Sequence, residues 1–178
     1  MNKMILMAST IATGMLVAGC GADTQTSADS APPAASAGPV AAVPATNVVP
    51  APYTMAADAP TAGFCALDSA NGQRGEVVTL RGSGAAVFGG WAADAAKEVP
   101  DGALFVFGNG ADSHAVSLVA GADRPDVAAS LGSEALAKAG FNLRLDLAGI
   151  PAGSYDLVVV MDPATSAHCD LRTRLVIE

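Results

Sequence analysis

The sequence predicts an all-β fold, an antiparallel sandwich of seven or eight short strands, over residues 61–178. The first observation is a series of short apolar runs rich in Val, Leu and Phe, separated by Gly, Pro, Asn and Asp. The second is the strict alternation of residues 141–147, where Phe and Leu alternate with Asn, Arg and Asp, as in a strand with one buried face. With 178 residues, the chain has room for one such domain after its N-terminal segments.

The first nineteen residues have the parts of a secretory signal peptide. Lys3 supplies a positive charge, residues 4–17 are mostly apolar, and small residues precede Cys20. The apolar run is too short to be a good transmembrane span. Residues 16–20, Leu-Val-Ala-Gly-Cys, resemble a bacterial lipobox. A plain signal peptide with an incidental cysteine is the alternative.

The lipobox resemblance implies a lipid anchor on Cys20. Cleavage would make Cys20 the first residue of the mature chain, with diacylglycerol on its sulfur and an acyl chain such as palmitate on its amino group. Several acyl chains hold a protein stably to a membrane, whereas one does so marginally. Gly21 follows, where an Asp would favour the inner membrane. The resemblance therefore implies the cell envelope, with the outer membrane facing the periplasm as the expected address.

Residues 20–60 are predicted to be a disordered, lipid-anchored linker. Ala, Pro, Ser and Thr dominate this stretch, and its prolines recur without helical or strand periodicity. Proline removes backbone donors, and the other side chains are too small to form a core. We expect a flexible tether that lets the following domain stand away from the membrane.

Eight runs after the linker are predicted as strands, because each is short, apolar or alternating, and bounded by turn residues. One of them, residues 104–107, is apolar throughout and is expected to be buried on both faces. The predicted strands are residues 64–68, 76–81, 85–94, 104–107, 114–119, 141–147, 155–161 and 171–177.

A short helical excursion is predicted near residues 124–139. Asp123 can cap a helix, Pro125 suits the first turn, and Asp126 complements the positive N-terminal end of the helix dipole. A second short turn is expected over residues 133–139, ended by Gly140 in a left-handed conformation.

Four motifs in order resemble an immunoglobulin-like module found attached to bacterial glycosyltransferases and other envelope proteins. They are Gly90-Trp91-Ala92, Arg124-Pro125-Asp126-Val127, Gly140-Phe141 and Ile150-Pro151-Ala152-Gly153. The resemblance covers nearly all of residues 64–178 and implies an accessory β-sandwich without catalytic residues. Two departures are the pair Cys65 and Cys169, which is not part of that pattern, and the lack of an attached enzyme domain.

Cys65 and Cys169 are predicted to form a disulfide. They are an even pair in an exported chain, where disulfides form and persist. A metal or redox site is the alternative, but the sequence has neither a CxxC pair nor a convincing set of His and Cys ligands. His114 and His168 make only a weak case for a metal. We predict no metal and no cofactor.

The charge balance argues against nucleic acid as a partner. The chain has 17 acidic and 9 basic side chains, and Lys3 would leave with the signal peptide. Nucleic acid and anionic lipid headgroups both require a positive protein surface. The membrane is therefore expected to be a partner only through the N-terminal lipid.

Three residues are candidates for ligand binding. Trp91 is expected either to fill the space between the two sheets, as a strand Trp in a small sandwich commonly does, or to form an exposed platform for a sugar ring. The neighbouring Gly89 and Gly90 leave room for close packing. Arg124 and Asp126 could bind an anionic or hydroxylated ligand, or form a helix cap and a structural ion pair.

The sequence therefore predicts a lipid-anchored envelope protein with a non-catalytic domain that binds an envelope glycan or another envelope protein. No nucleophile elbow, phosphate loop or HExxH motif occurs, and no carboxylate pair stands out, so no catalytic residue is predicted. One alternative is a structural or assembly accessory without a small-molecule ligand. Another is a periplasmic hydrolase with an unrecognised site.

Overall fold

The computed structural model describes residues 48–82, 84–109 and 113–178. The predicted signal peptide, Cys20 and the linker up to residue 47 lie outside the described residues. Within the described part the fold is all-β, with ten strands in two sheets and one short α-helix. Within the same part of the chain, no helix combines the length and apolar character needed to cross a bilayer.

The strands form a six-stranded sheet in the order β1-β6-β5-β9-β10-β3 and a four-stranded sheet in the order β2-β4-β8-β7. Helix α1 (Pro125–Leu131) and a 3₁₀ helix (Glu134–Lys138) lie between β7 and β8 in the chain. The strand bounds are β1 (Ala51–Tyr53), β2 (Phe64–Ala70), β3 (Val77–Leu80), β4 (Ala85–Ala93), β5 (Leu104–Gly108), β6 (Ser113–Ser117), β7 (Ala120–Ala122), β8 (Gly140–Asp146), β9 (Gly153–Asp162) and β10 (Ala167–Ile177).

All eight predicted strands are present, and β1 and β7 are additional. Strand β1 corrects the predicted linker, because residues 51–53 pair with β6 instead of remaining disordered. Pro52 is compatible with this position because an edge strand leaves some of its N–H groups unpaired. Strand β7, with the sequence Ala-Gly-Ala, has no strand signal of its own and pairs with β8.

The prediction of a purely antiparallel sandwich is wrong at one pair of strands. Strand β3 runs parallel to β10, from Val77 beside Arg174 to Leu80 beside Ile177. The physical reason is that β2 belongs to the four-stranded sheet and β3 to the six-stranded one. The connection between them therefore changes sheets instead of closing a hairpin, and β3 can take the direction of β10.

The main core draws on side chains from both sheets. In β8, Phe141, Leu143 and Leu145 are buried, whereas the residues between them are partly exposed, which confirms the predicted alternation. Strand β5 is buried on both faces as predicted, because Phe105, Val106 and Phe107 are each at most 1% exposed. Such dense packing is typical of protein interiors.

Gly90 lies where the strands pack closely together, and Tyr155 forms a buried hydrogen bond at a connection between strands. A Cβ atom on Gly90 would lie 2.4 Å from the carbonyl oxygen of Ala66 and 2.7 Å from Cζ of Phe141, so only glycine fits there. The Tyr155 ring is buried near the start of β9, and its hydroxyl donates a 2.7 Å hydrogen bond to the Pro151 carbonyl. That bond fixes the chain where β8 leads into β9.

The helical excursion is confirmed, but its ends differ from the prediction. Arg124 occupies the N-cap position without a side-chain cap, and Asp123 instead pairs with Lys138 at 2.6 Å. Helix α1 ends at Gly132, which has a left-handed φ of 67°, whereas Gly140 begins β8. The excursion builds a second apolar cluster, in which Val127 and Leu136 pack with Ala93 and Ala139.

The predicted disulfide is confirmed and joins the two sheets. Cys65 in β2 is bonded to Cys169 in β10, with their Cα atoms 6.0 Å apart and a sequence separation of 104 residues. Cys169 is buried and Cys65 is half-buried.

Residues 48–62 form hydrogen bonds with strands of both sheets. Val48 donates a hydrogen bond to the Arg144 carbonyl and accepts one from the Asp146 N–H, so it extends the edge of the four-stranded sheet. The Tyr53 hydroxyl lies 3.2 Å from Oγ of Ser166, and Ala62 donates to the His168 carbonyl. This segment therefore contacts β8, β6 and β10, and we call it the N-terminal strap.

Candidate functional site

The structure brings together the three residues that the sequence predicts as ligand-binding candidates. Trp91 lies near the end of β4, Arg124 directly precedes α1, and Asp126 lies in its first turn. Cζ of Arg124 is 5.9 Å from the centroid of the Trp91 ring, within the range of a cation–π contact. Nε and Nη2 of Arg124 donate to the two carboxylate oxygens of Asp126 at 3.0 and 2.8 Å.

A fourth member of this cluster, Asp68, was missed by sequence reasoning. Its carboxylate accepts a 2.7 Å hydrogen bond from Nη1 of Arg124. Asp68 lies in β2 at an irregularity between Leu67 and Ser69, where it has no partner on β4. Nothing local in the sequence pairs it with a residue 56 positions away, because the contact depends on the register of three strands.

Gly140 makes the cluster sterically feasible. It lies directly opposite Trp91 in the pairing of β4 with β8. A Cβ atom at Gly140 would come within 2.9 Å of Cγ of Arg124 and 2.8 Å of Cβ of Ala122. The bare backbone at this position therefore leaves the space in which the Arg124 side chain crosses the sheet towards Trp91 and Asp68.

The expectation that Trp91 fills the space between the sheets is wrong. Phe88, Gly90 and Ala92 occupy the buried positions of β4, and Trp91 alternates with them. Its side chain therefore lies on the outer face of the four-stranded sheet, where it is half-buried against the second apolar cluster built by α1 and the 3₁₀ helix. Trp91 is thus one of the residues through which the helical excursion contacts the sheet.

The electrostatics of the cluster favour a fully charged pair. The hydrogen bond from Arg124 lowers the pKa of Asp126 to about 2; burial of the carboxylate opposes this shift, and the positive charge of Arg124 adds to it. The same hydrogen bond to Asp126 raises the pKa of Arg124 above its ordinary value. At neutral pH the guanidinium thus lies between two carboxylates.

This geometry supports the structural alternative for Arg124 and Asp126. All three guanidinium nitrogens already donate to carboxylates, and one face of the group lies over the Trp91 ring. The Arg124 side chain is only 16% exposed. The cluster is therefore suited to fasten the helical excursion to β2 and β4.

The pair predicts a pH dependence of stability. The folded-state pKa of Asp126 is about 2, below its ordinary value of 3.8, so its stabilisation is present above about pH 4 and is lost as pH falls towards 2. Because its side chain is 66% exposed, we expect an effect within about 1 kcal/mol. Thermal unfolding of Asp126→Asn and wild type, compared between pH 7 and 2, should show a difference that shrinks with acid.

Asp101→Asn is the control for that measurement, because Asp101 is exposed and has no ion-pair partner among the described residues. Its unfolding temperature should track that of wild type over the whole range. A constant difference between Asp126→Asn and wild type from pH 7 to 2 would contradict the assigned pair.

The two histidines are not brought together. His114 in β6 faces inward, stacked on Phe107 at 5.5 Å and edge-on to Tyr155 at 6.4 Å. His168 lies at the start of β10, with Nδ1 3.2 Å from the Ser166 carbonyl oxygen. Among the described residues, no group of three or more His, Cys, Asp or Glu side chains could hold a metal ion.

An apolar groove lies at the end of the domain where β4 leads into β5 and β6 into β7. It has a volume of about 370 Å³ and is lined by residues 99–103 and 117–120; we call it the Val119 groove. Val119 is 74% exposed at this groove. The sequence suggested only a strand here, because alternation gives no sign that the strand ends at Ser117.

No protein-family model matches the chain, and no curated protein or solved structure matches it significantly. Its function is therefore inferred from its own residues.

Proposed function

We propose that the chain is a membrane-anchored lipoprotein of the bacterial cell envelope, whose immunoglobulin-like domain binds another envelope protein and is not catalytic. The alternative is a structural or assembly accessory without a small-molecule ligand. Both hypotheses include the same anchor, fold and compartment. They differ in whether the domain binds a specific partner.

The lipid anchor is supported by the lipobox-like residues 16–20 and by the disulfide. A bond between Cys65 and Cys169 persists in an oxidising compartment such as the periplasm. The strap shortens the tether that the sequence suggested, because Val48 already pairs with β8. Residues 21–47, if fully extended at about 3.1 Å per residue, would let the domain reach about 85 Å from the membrane.

The immunoglobulin-like assignment is supported by two details of the strand arrangement. Tyr155 donates its hydroxyl proton to a backbone carbonyl four residues upstream, at the start of the penultimate strand. A tyrosine in this position is a hallmark of immunoglobulin-like sandwiches. The strand order is also Greek-key-like, as in most β-sandwiches, because β9 lies between β5 and β10, and β8 lies between β4 and β7.

One observation favours a protein over a glycan as the partner. Trp91, the only tryptophan, packs against the second apolar cluster and Arg124 instead of offering an open platform. By contrast, the Val119 groove presents an apolar surface to solvent. An apolar depression of this kind can receive an apolar side chain of a partner protein, whereas it offers no stacking surface for a sugar ring.

The anchor is tested by replacing Cys20. A Cys20→Ala chain should lose membrane association, because no lipid can then be attached at position 20. Membrane and soluble fractions of cells expressing either form should be compared by immunoblot. Cys65→Ala serves as the control and should remain with the membranes. A Cys20→Ala chain that still sediments fully with membranes would contradict the anchor.

The binding function is tested with the lipidated chain itself. Affinity capture from solubilised envelopes should recover one protein in stoichiometric amount, whereas a glycan array should give no signal. If the array shows a specific glycan, and Trp91→Ala abolishes that signal, the protein assignment is wrong. If neither assay identifies a ligand, the hypothesis of a structural or assembly accessory replaces the binding function.

A further inference from the structure

We infer that the Val119 groove is the docking surface for the protein partner, and that the partner presents an apolar side chain flanked by Lys or Arg. This inference rests on the proposed binding function and adds to it the site and the chemistry of the partner. Three features of the groove carry the inference: its apolar floor, its charge and its position in the fold.

The floor of the groove is apolar, and a backbone hydrogen bond joins its two sides. Val119 is the most exposed of the large apolar side chains among the described residues. Beside it, Leu118 and Ala103 are at most 5% exposed, and the Leu118 N–H donates a 2.8 Å hydrogen bond to the Ala103 carbonyl. This bond joins the two segments that form the groove. A preformed apolar depression is where a protein interface gains most of its affinity.

The rim of the groove is acidic. Asp101 lines it, and Glu98 lies in the same β4–β5 connection. Both side chains are exposed and have no ion-pair partner among the described residues.

The basic residues near the groove do not outweigh that charge, because the β4–β5 connection carries three acidic residues and one basic residue: Asp94, Glu98 and Asp101 against Lys97. Nζ of Lys97 donates to the Leu131 carbonyl at 2.9 Å, Lys138 pairs with Asp123, and Arg124 pairs with Asp68 and Asp126. An acidic rim around an apolar floor attracts a partner of opposite charge and disfavours an acidic one.

The groove lies away from the point where the described chain begins. Val48 of the strap pairs with Leu145, near the C-terminal end of β8. Ala120 of β7, which lines the groove, pairs with Phe141, near the N-terminal end of β8. The strap and the groove therefore lie near opposite ends of this strand. The acidic surface also argues against an anionic membrane as the ligand, because lipid headgroups would be repelled.

A random-peptide display library, panned on the immobilised full chain, tests this inference. The selected peptides should combine an apolar residue with neighbouring Lys or Arg, and their binding should weaken as salt rises. Val119→Asp and Asp101→Lys should each weaken binding by at least about tenfold. The matched controls are Val77→Asp and Asp58→Lys, which alter an exposed valine and an exposed aspartate elsewhere and should change binding by less than about twofold.

The inference is overturned if the selected peptides are neutral or acidic, if nothing is selected above an empty surface, or if Val119→Asp leaves binding unchanged. Capture from envelopes separates this failure from that of the proposed function. If Val119→Asp still recovers the same envelope protein, the groove is not the site but the binding function stands. If the unaltered chain recovers no protein, the binding function itself fails.

Discussion

Replacing both Cys65 and Cys169 by Ala is expected to lower the free energy of unfolding by about 2–4 kcal/mol. The bond joins residues 104 positions apart and links the two sheets. Without it the unfolded chain gains the conformational freedom of a loop that spans most of the domain. A small sandwich with a net stability of about 5–15 kcal/mol would lose a large share of it.

Denaturant unfolding of the double variant and of the oxidised wild type measures this loss. In the presence of reductant, the free energy of unfolding of wild type should be close to that of the double variant, because both then lack the disulfide bond. The single variant Cys65→Ala is the matched control for any packing effect of the substitution. A difference below about 0.5 kcal/mol between the oxidised wild type and the double variant would contradict a stabilising role.

Removing most of the strap, residues 48–60, is expected to have the second large effect. A chain that begins at residue 61 loses the pairing of β1 with β6, the hydrogen bonds of Val48 with β8 and the contact of Tyr53 with Ser166. Each such hydrogen bond contributes about 0.5–1.5 kcal/mol, so we expect a loss of about 2 kcal/mol or more.

The same truncation should also expose apolar surface. Val106 and Val160 alternate with core residues of β5 and β9, so they face away from the core, yet each is at most 1% exposed. The strap begins this passage at Tyr53, in edge strand β1. It ends at Pro60, whose carbonyl accepts a hydrogen bond from the His168 N–H in β10. Between these points the strap crosses the outer face of the six-stranded sheet. Its removal also leaves the edge of β6 unpaired, which favours aggregation.

Denaturant unfolding and sedimentation of chains that begin at residues 48 and 61 test the strap. The longer chain should match the full protein and remain monomeric, whereas the shorter one should be less stable and prone to associate. Equal stability and equal solubility of the two chains would show that the strap is dispensable.

Most of the strands could be predicted, because their signals are local. The alternation in β8, the continuous apolar run in β5 and the turn residues between strands do not depend on distant parts of the chain. The even pair of cysteines, in a chain that the sequence predicts to be exported, likewise indicated the disulfide. The helical excursion followed from proline and acidic residues at its start.

The remaining features depend on contacts between distant residues. Strands β1 and β7 carry Ala, Pro and Gly and form because β6 and β8 offer them an edge. Alternation along β4 places Trp91 on the outer face, but the cover over its ring depends on where α1 packs. The contact of Arg124 with Asp68 depends on strand register. The Val119 groove arises because two connections meet at one end of the sandwich.

Whether the chain is exported and lipid-anchored, as we propose, is decided by the intact mass of the protein extracted from bacterial membranes. We expect a chain that begins at Cys20, carries diacylglycerol and a further acyl chain, and has Cys65 bonded to Cys169. An unmodified chain that begins at Met1 and has three free thiols would contradict this proposal.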